Sequence, residues 1–456
     1  MIMGDVFVKT RRIIAALIPL CMLGGAFSYN APVFRDNAIT ADASAECFAF
    51  SKKTGVLTLT GAVSREEISN LEYKASVKSV VAEKGTVLPE NCYGLFKDYS
   101  ACQKIDLSNA DTSKVTNMGR MFSGCSELTS VDVSHFDTAG VKSFEGMFSD
   151  CSKLTSVDVS HFKTGNATDM GAMFFNCSGL TSLDVSGFDT SNVQSMESMF
   201  YYCSGLTSLD VSGFDTSNVQ NMDGVFNGCS GLASLDVSGF DTSKVTNMSG
   251  MISCCSGLSS IDLSSFNTSN VTDMSAMFAL CSGFTSIDMS SFDTSNVENM
   301  NDMFNGCSKL RTLDLSNFNT SKVVYSEYLF YECNALESIT LGKKIRSIPR
   351  KACLLNGSGW VNSNEPSTII SGDDRYAVIK NSGVNTYVRY KAGDIVKGDI
   401  NSDGVFNVSD VLLFNKWLHG DKNVKITNIS ALDLCEDGEL DVFDLIVMKQ
   451  ELSRGL

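Results

Sequence analysis

Residues 173–198 read MFFNCSGLTSLDVSGFDTSNVQSMES, and residues 199–224 read MFYYCSGLTSLDVSGFDTSNVQNMDG. The pairs Met121-Phe122, Met147-Phe148, Met173-Phe174, Met199-Phe200, Met277-Phe278 and Met303-Phe304 lie 26 residues apart or at multiples of 26. Leu95-Phe96, Val225-Phe226, Met251-Ile252 and Leu329-Phe330 fill the remaining slots, giving ten units of one period without an insertion. A fixed period of this size marks a repeat architecture, in which units too small to bury their own apolar face stack on one another. Met170, Met173, Phe174 and Cys177 stand at i, i+3, i+4 and i+7, which predicts the apolar face of a short helix. Leu183, Asp184, Val185 and Ser186 alternate apolar and polar, which predicts a strand with Leu and Val inward. With strands about 4.8 Å apart, ten coils make a rod roughly 50 Å long. No proline falls between Pro89 and Pro349, as expected where internal strands pair on both sides.

The run L-x-x-L-x-V-S-x-F is a leucine-rich repeat pattern. The full unit, M-F-x-x-C-S-x-L-T-S-L-D-V-S-x-F-D-T-S-N-V-x-x-M, resembles the BspA-like bacterial surface repeat from Leu95 to about Leu341. That resemblance implies an α/β solenoid, with a parallel β-sheet on one side and short helices on the other, in an extracellular protein of adhesive character. It brings no catalytic residue with it. Lys78-Ser79-Val80-Val81 and Leu336-Glu337-Ser338-Ile339 look like degenerate coils capping the two ends.

The chain has 456 residues, 36 Lys+Arg against 52 Asp+Glu, and a formal charge of −16. Nucleic acid and anionic membranes are gripped by basic patches, so neither is an expected partner. Lys9, Arg11 and Arg12 precede the apolar run Ile13 to Leu23, and small side chains follow at Ala26 and Ser28. This reads as a secretory signal peptide, residues 1–28, because a bilayer span needs about 20 apolar residues. The mature chain is therefore expected to be secreted, without membrane insertion.

Two columns run through the repeats. Cys125, Cys151, Cys177, Cys203, Cys229, Cys255, Cys281, Cys307 and Cys333 hold one position in successive units. Parallel side chains fit disulfide torsion poorly, so buried free thiols are expected. Asp106, Asp132, Asp158, Asp184, Asp210, Asp236, Asp262, Asp288 and Asp314 form an outward column. Their expected spacing of about 5 Å matches the carboxylate pair of a retaining glycosidase. Every coil offers the same pair, however, so no single site is selected. An acidic face that blocks edge association is the simpler reading, with cation binding along the column as an intermediate one.

Residues 376–380 and 386–390 flank the turn Asn381-Ser382-Gly383 and read as a β-hairpin. Beyond it, Asp399, Asn401, Asp403, Val405 (through its carbonyl), Asn407 and Asp410 occupy positions 1, 3, 5, 7, 9 and 12 of a calcium loop, with Gly404 at 6. Asp433, Cys435, Asp437, Glu439, Asp441 and Asp444 repeat the register, with Gly438 at 6. Thiol sulfur at Cys435 is a poor calcium donor, so the second site is expected to be weaker. Two such loops, each followed by one helix and ending in Asp, resemble a type I dockerin over Gly398 to about Leu452. The resemblance implies two bound Ca2+ ions and a cohesin module of a scaffoldin as partner. Its recognition positions fall on Val408, Ser409, Asn415 and Lys416, and on Val442, Phe443, Lys449 and Gln450. Expected domains are a cap at 29–94, the array at 95–341, a second cap and linker at 342–397 and the dockerin at 398–456. The resulting expectation is a secreted, non-catalytic adhesion protein tethered to a cellulosome, with a protein or polysaccharide ligand for the repeats. The alternative is a dockerin-bearing carbohydrate-active enzyme. Outside the repeats and dockerin only about 29–93 and 342–397 remain for it, which is small for such a catalyst.

Overall fold

The computed structural model describes residues 47–371, 375–390, 396–401, 406–421, 424 and 429–454. The expected signal segment lies outside them, as do Asp403 and Val405 of the first loop.

An antiparallel pair opens the array, Phe48–Ser51 against Val56–Leu59. The second of these pairs in parallel with Ser79–Ala82, which pairs with Lys104–Asp106, which pairs with Ser130–Asp132. The outermost antiparallel strand thus gives the first coil's edge a partner. Helix α1 (Arg65–Ser69) is capped by Ser64, whose side chain accepts from the Glu67 N–H. Tyr99 donates its hydroxyl to the Ile68 carbonyl at 2.7 Å, fastening this cap to the first full coil.

The solenoid is as expected, and its apolar alternation is intact. Leu183 and Val185 are buried while Asp184 and Ser186 are exposed. Among the described residues, however, no multi-residue strand pairing forms between Ser130–Asp132 and Thr312–Leu315. A parallel bridge one residue wide carries the coil-to-coil pairing there, through Asn117, Ser143, Asp169, Ser195, Asn221, Asn247, Asp273 and Asn299.

The segment expected as a helix is a ladder of turns. Met170, Met173, Phe174 and Cys177 are all buried as the spacing requires. Yet Ala172 and Asn176 take the left-handed conformation, both at φ 54°. That reverses the chain twice within one turn of the expected helix. Ala172, Phe174 and Asn176 therefore donate their N–H groups sideways, to the next coil's Glu197, Met199 and Tyr201 carbonyls at 2.7, 2.9 and 2.6 Å. Met173, Phe175 and Cys177 donate locally, three residues back. A helix satisfies its N–H groups within itself; here half of them join neighbouring coils.

Side chains repeat the same economy. Phe96, Phe122, Phe148, Phe174, Phe200 and Phe226 stack with centroids 5.5–5.9 Å apart. Ile252 interrupts the column, which resumes through Phe278, Phe304 and Phe330. Seven buried threonines, Thr138, Thr164, Thr190, Thr216, Thr242, Thr268 and Thr294, each donate to a carbonyl of the next coil, as Thr190 does to Asp215 at 2.9 Å.

At the far end Ser338–Leu341 pairs in parallel with Thr312–Leu315. The expected hairpin at 376–390 is not one. Ile379–Lys380 pairs with Ser347–Ile348, whereas Asn385–Arg389 lies antiparallel to Ser338–Leu341 and to Trp360–Asn362. Asn381 holds the two arms apart by donating from its amide to the Gly342 and Ile345 carbonyls at 3.0 and 2.7 Å. The antiparallel strand Asn385–Arg389 covers the array's last edge.

Three helices follow, α2 (Val408–Leu418), α3 (Ile429–Leu432) and α4 (Val442–Arg454). Ile400, Val411, Phe414, Leu432, Leu445 and Met448 make a core separate from that of the array. Among the described residues no helix is long and apolar enough to cross a membrane.

Candidate functional site

The two loop–helix halves share one hydrogen-bond plan. Asn407 caps α2 by accepting from the Ser409 N–H, and Asp410 answers by accepting from the Asn407 N–H, each at 2.8 Å. The other Asp410 oxygen accepts from Ile400 and Asn401 at 3.0 and 3.2 Å. In the second half Asp444 accepts from Asp441 at 3.0 Å, and from Leu434 and Cys435 at 2.8 and 3.2 Å. The offsets are identical, and both Asp410 and Asp444 are completely buried. A buried carboxylate is tolerated only where it is well bonded, and three backbone donors hold each of these.

Loop two brings donor groups together. Asp433 accepts from the Asp437 and Gly438 N–H groups at 3.1 and 2.9 Å, curling the chain around it. Asp437 accepts from Glu439, and Asp441 from Phe443. Ligand atoms of Asp433, Cys435 and Asp437 all lie within 4.8 Å of one another. The Cys435 thiol donates to Asp444 at 3.0 Å, and that bond is the main reason its pKa is pushed up to about 12.

Donor chemistry separates the loops. Asp399, Asn401, Asn407 and Asp410 of loop one offer only oxygen, and Asp399 and Asp410 are buried. This set fits a hard cation such as calcium. Loop two interposes sulfur.

Of the expected partner-contact positions, Val408, Ser409, Lys416, Val442, Phe443, Lys449 and Gln450 are exposed, and Asn415 is half-buried. Leu412 and Ile446, which the expected contact positions do not include, are exposed as well. They lie four residues beyond Val408 and Val442, on the same helical face. That spacing was the available signal.

The array presents no reactive group of comparable quality. Each Asp of the outward column closes a turn, as Asp132 does by accepting from the Ser134 N–H and hydroxyl at 3.0 and 2.7 Å. Such serine hydrogen bonds hold the Asp132, Asp158, Asp210, Asp236 and Asp262 carboxyls below the ordinary range. A general acid needs the opposite shift. The column cysteines are buried free thiols, each donating to a carbonyl of the preceding coil, as Cys203 does to Phe174 at 3.1 Å. Burial pushes the Cys229 and Cys333 thiols up to about 12, so neither is a nucleophile. At the last coil a cavity of about 250 Å³ opens beside Met300, Ser326 and Leu329. Ser326 stands where the two preceding coils carry Met300 and Met274, and the lost side chain leaves the space.

Residues 90–208, 176–260, 203–287 and 255–348 match the family described as "Mycoplasma protein of unknown function, DUF285", together more than half of the chain. The chain belongs to the DUF285 family. Behind the DUF285 repeats, residues 397–453 match the type I dockerin domain. A leucine-rich cell surface protein from Faecalibacterium prausnitzii A2-165 is 15% identical, with a TM-score of 0.37 over 68% of this chain and 95% of its own. A leucine-rich repeat protein from Eubacterium ventriosum ATCC 27560 is 18% identical, with a TM-score of 0.34 over 67% of this chain and 91% of its own. No curated protein matches significantly.

Proposed function

We propose that the chain is a secreted, non-catalytic interaction protein, whose repeats form an adhesive or spacing rod and whose dockerin joins it to a cohesin of a cellulosome scaffoldin. The observation that carries this is the paired plan of the C-terminal module. Two buried aspartates pin two loops in one register, and beside each loop a helix exposes apolar side chains, Val408 and Leu412 on α2, Val442, Phe443 and Ile446 on α4. Exposed aliphatic and aromatic residues rimmed by Ser409, Lys416, Lys449 and Gln450 make a surface suited to a protein partner.

In this reading calcium is held in loop one by Asp399, Asn401, Asp403, the Val405 carbonyl, Asn407 and Asp410. A second ion falls to Asp433, Asp437, the Glu439 carbonyl, Asp441 and Asp444, with Cys435 as the weak member. Bound calcium supplies the positive charge that lets these carboxylates sit together. The residues themselves order the loops, and so the helices that carry the contact surface. The outward strand positions hold Asp, Ser and Thr without aromatic platforms, so the array suits a repeating or protein ligand better than a single sugar. Polysaccharide degradation would then be the work of the assembly that this chain joins.

Calorimetry of the full chain against a panel of cohesins, with calcium and with chelator, tests the reading. Calcium-dependent binding is the expected result, and binding undiminished by chelator rejects the dockerin role. A pull-down with residues 45–395 against cell-wall, plant-polysaccharide and protein libraries addresses the ligand of the repeats.

A further inference from the structure

Three apolar columns end together at the last coil of the array. Phe266, Phe292 and Phe318 recur 26 residues apart, and Lys344 takes the next place. Phe278, Phe304 and Phe330 recur likewise, and Asn356 takes the next place. Met274 and Met300 are followed by Ser326 and then by Ala352. Met300, Phe318, Phe330 and Ala352 all line the cavity of about 250 Å³, so it lies where the columns break off. It also reaches solvent. Val323 and Leu329 are only half-buried, whereas their equivalents one coil earlier, Val297 and Met303, are fully buried. Val324, on the cavity's edge, is 59% exposed.

Size, shape and polarity of this space define an occupant. An apolar cavity of about 150 Å³ accommodates one benzene, so the larger volume takes a ring with a short substituent. Phe304 and Phe330 stack at 6.1 Å with 3° between their planes, and both line the cavity. Aromatic rings associate at centroid distances of about 4.5–7 Å, so a planar guest extends such a column where an alkyl chain does not. The polar lining carries no unmatched charge. Lys351 donates to the Glu327 carboxylate at 2.9 Å and to the Val324 carbonyl at 3.4 Å. The Ser326 hydroxyl, by contrast, is half-buried and has no hydrogen-bond partner among the described residues. A half-buried hydroxyl calls for one.

We propose that the cavity at the last coil binds one small uncharged phenol, its ring against Phe318 and Phe330 and its hydroxyl on Ser326. The guest takes up the packing that the exchange of methionine for Ser326 gave away, since unfilled apolar volume weakens a core. There is one such site per chain, because the end of the array creates it and the repeats do not. It belongs to the array alone, so calcium and the dockerin have no part in it.

The probe is 4-ethylphenol, titrated calorimetrically into the full chain with calcium and again with chelator. One equivalent should bind in both, and with calcium present it should raise the array's thermal transition while leaving the module's unmoved. Ser326→Met restores the repeat's own residue and fills the space. It should raise the same transition without ligand and abolish binding. Ser326→Ala keeps the space open, so it decides the case even where the larger side chain is not accommodated. It should weaken 4-ethylphenol by about fivefold or more and leave ethylbenzene, which has no hydroxyl, within about twofold. Hexan-1-ol should bind at least about tenfold more weakly than 4-ethylphenol, because it offers no ring face to Phe318 and Phe330. Lack of saturable binding, binding undiminished by Ser326→Met in a folded array, or hexan-1-ol as tight as the phenol would overturn the inference. So would N-acetyltyrosinamide binding more tightly than 4-ethylphenol, since the occupant would then be a side chain of a protein partner.

Discussion

At the scale of single residues, Asp223 and the outward aspartates titrate in opposite senses. Burial first, then Glu197 and Asp273, push Asp223 up to about 6, against an ordinary 3.8. Its folded-state pKa is raised, so its charged form costs stability above about pH 6, and the cost disappears as pH falls from about 6 to 3.8. The aspartates of the outward column are depressed instead by their serine partners. Their contribution is present above 3.8 and is lost as pH falls below it through their folded values. From these groups, stability of the array should therefore be highest near pH 4 and fall as pH rises toward 6. Asp223→Asn should raise stability at pH 7 by on the order of 1–2 kcal/mol, after allowing for solvent screening, and change little near pH 4. Urea titrations at the two pH values read this directly, and an equal effect at both would remove Asp223 as the cause. The thiol column makes a second test. After unfolding without reductant, Cys125 through Cys333 should titrate as free thiols, whereas in the folded chain they should stay unreactive for want of thiolate. Most of them found oxidised would contradict the carbonyl-bonded column.

At the scale of the element, the turn ladder and a helix make opposite forecasts for one substitution. Ala172 sits at φ 54°, where an L-residue with a Cβ is strained by about 1 kcal/mol. Ala172→Gly should relieve that and stabilise the array by about 0.5 kcal/mol, net of the unfolded chain's added entropy. In a helix the same change would destabilise by about 1 kcal/mol. Gly250→Val should go the other way, by about 2 kcal/mol or more, because φ is +58° and a Cβ would meet the Asn227 amide at 3.1 Å. Denaturant midpoints at unchanged slope decide both. These positions also show what was legible in the chain beforehand. The 26-residue register and every inward Met, Phe, Leu and Val could be placed from spacing alone. Helix or turn could not, since both conformations bury residues at i, i+3, i+4 and i+7. The discriminating signal lay at polar positions: Gly94 and Asp98, Gly146 and Asp150, Gly224 and Gly228 recur four apart as residues that tolerate the left-handed region. In the dockerin the loop register was legible because ligand spacing is rigid. The outward turn of Leu412 and Ile446 was not, because an apolar residue at a helix edge reads equally as core or as contact surface.

At the scale of the whole molecule, two buried clusters predict two unfolding events. The array's cluster runs unbroken from Leu57 to Tyr387, and the module's six core residues stand apart from it. Leu209→Asp puts a charge into the first cluster, where Leu209 is buried, and should cost several kcal/mol without touching the second transition. Calcium should act on the second alone. In chelator the carboxylates of both loops face one another without a cation, and ion binding there is folding energy. Scanning calorimetry should therefore keep the array's transition and lose the module's, together with cohesin binding. The two pinning positions grade the effect. Asp410→Ala strips partners from the Ile400, Asn401 and Asn407 N–H groups, at about 1–3 kcal/mol for each one left buried. That loss should defeat loop one even in excess calcium. Asp433→Ala frees only the Asp437 and Gly438 N–H groups, both of exposed residues that water can satisfy, so more binding should survive it. If Asp433→Ala proves the more damaging of the two, the second half dominates recognition, and the ranking of the loops by donor chemistry has to be reversed.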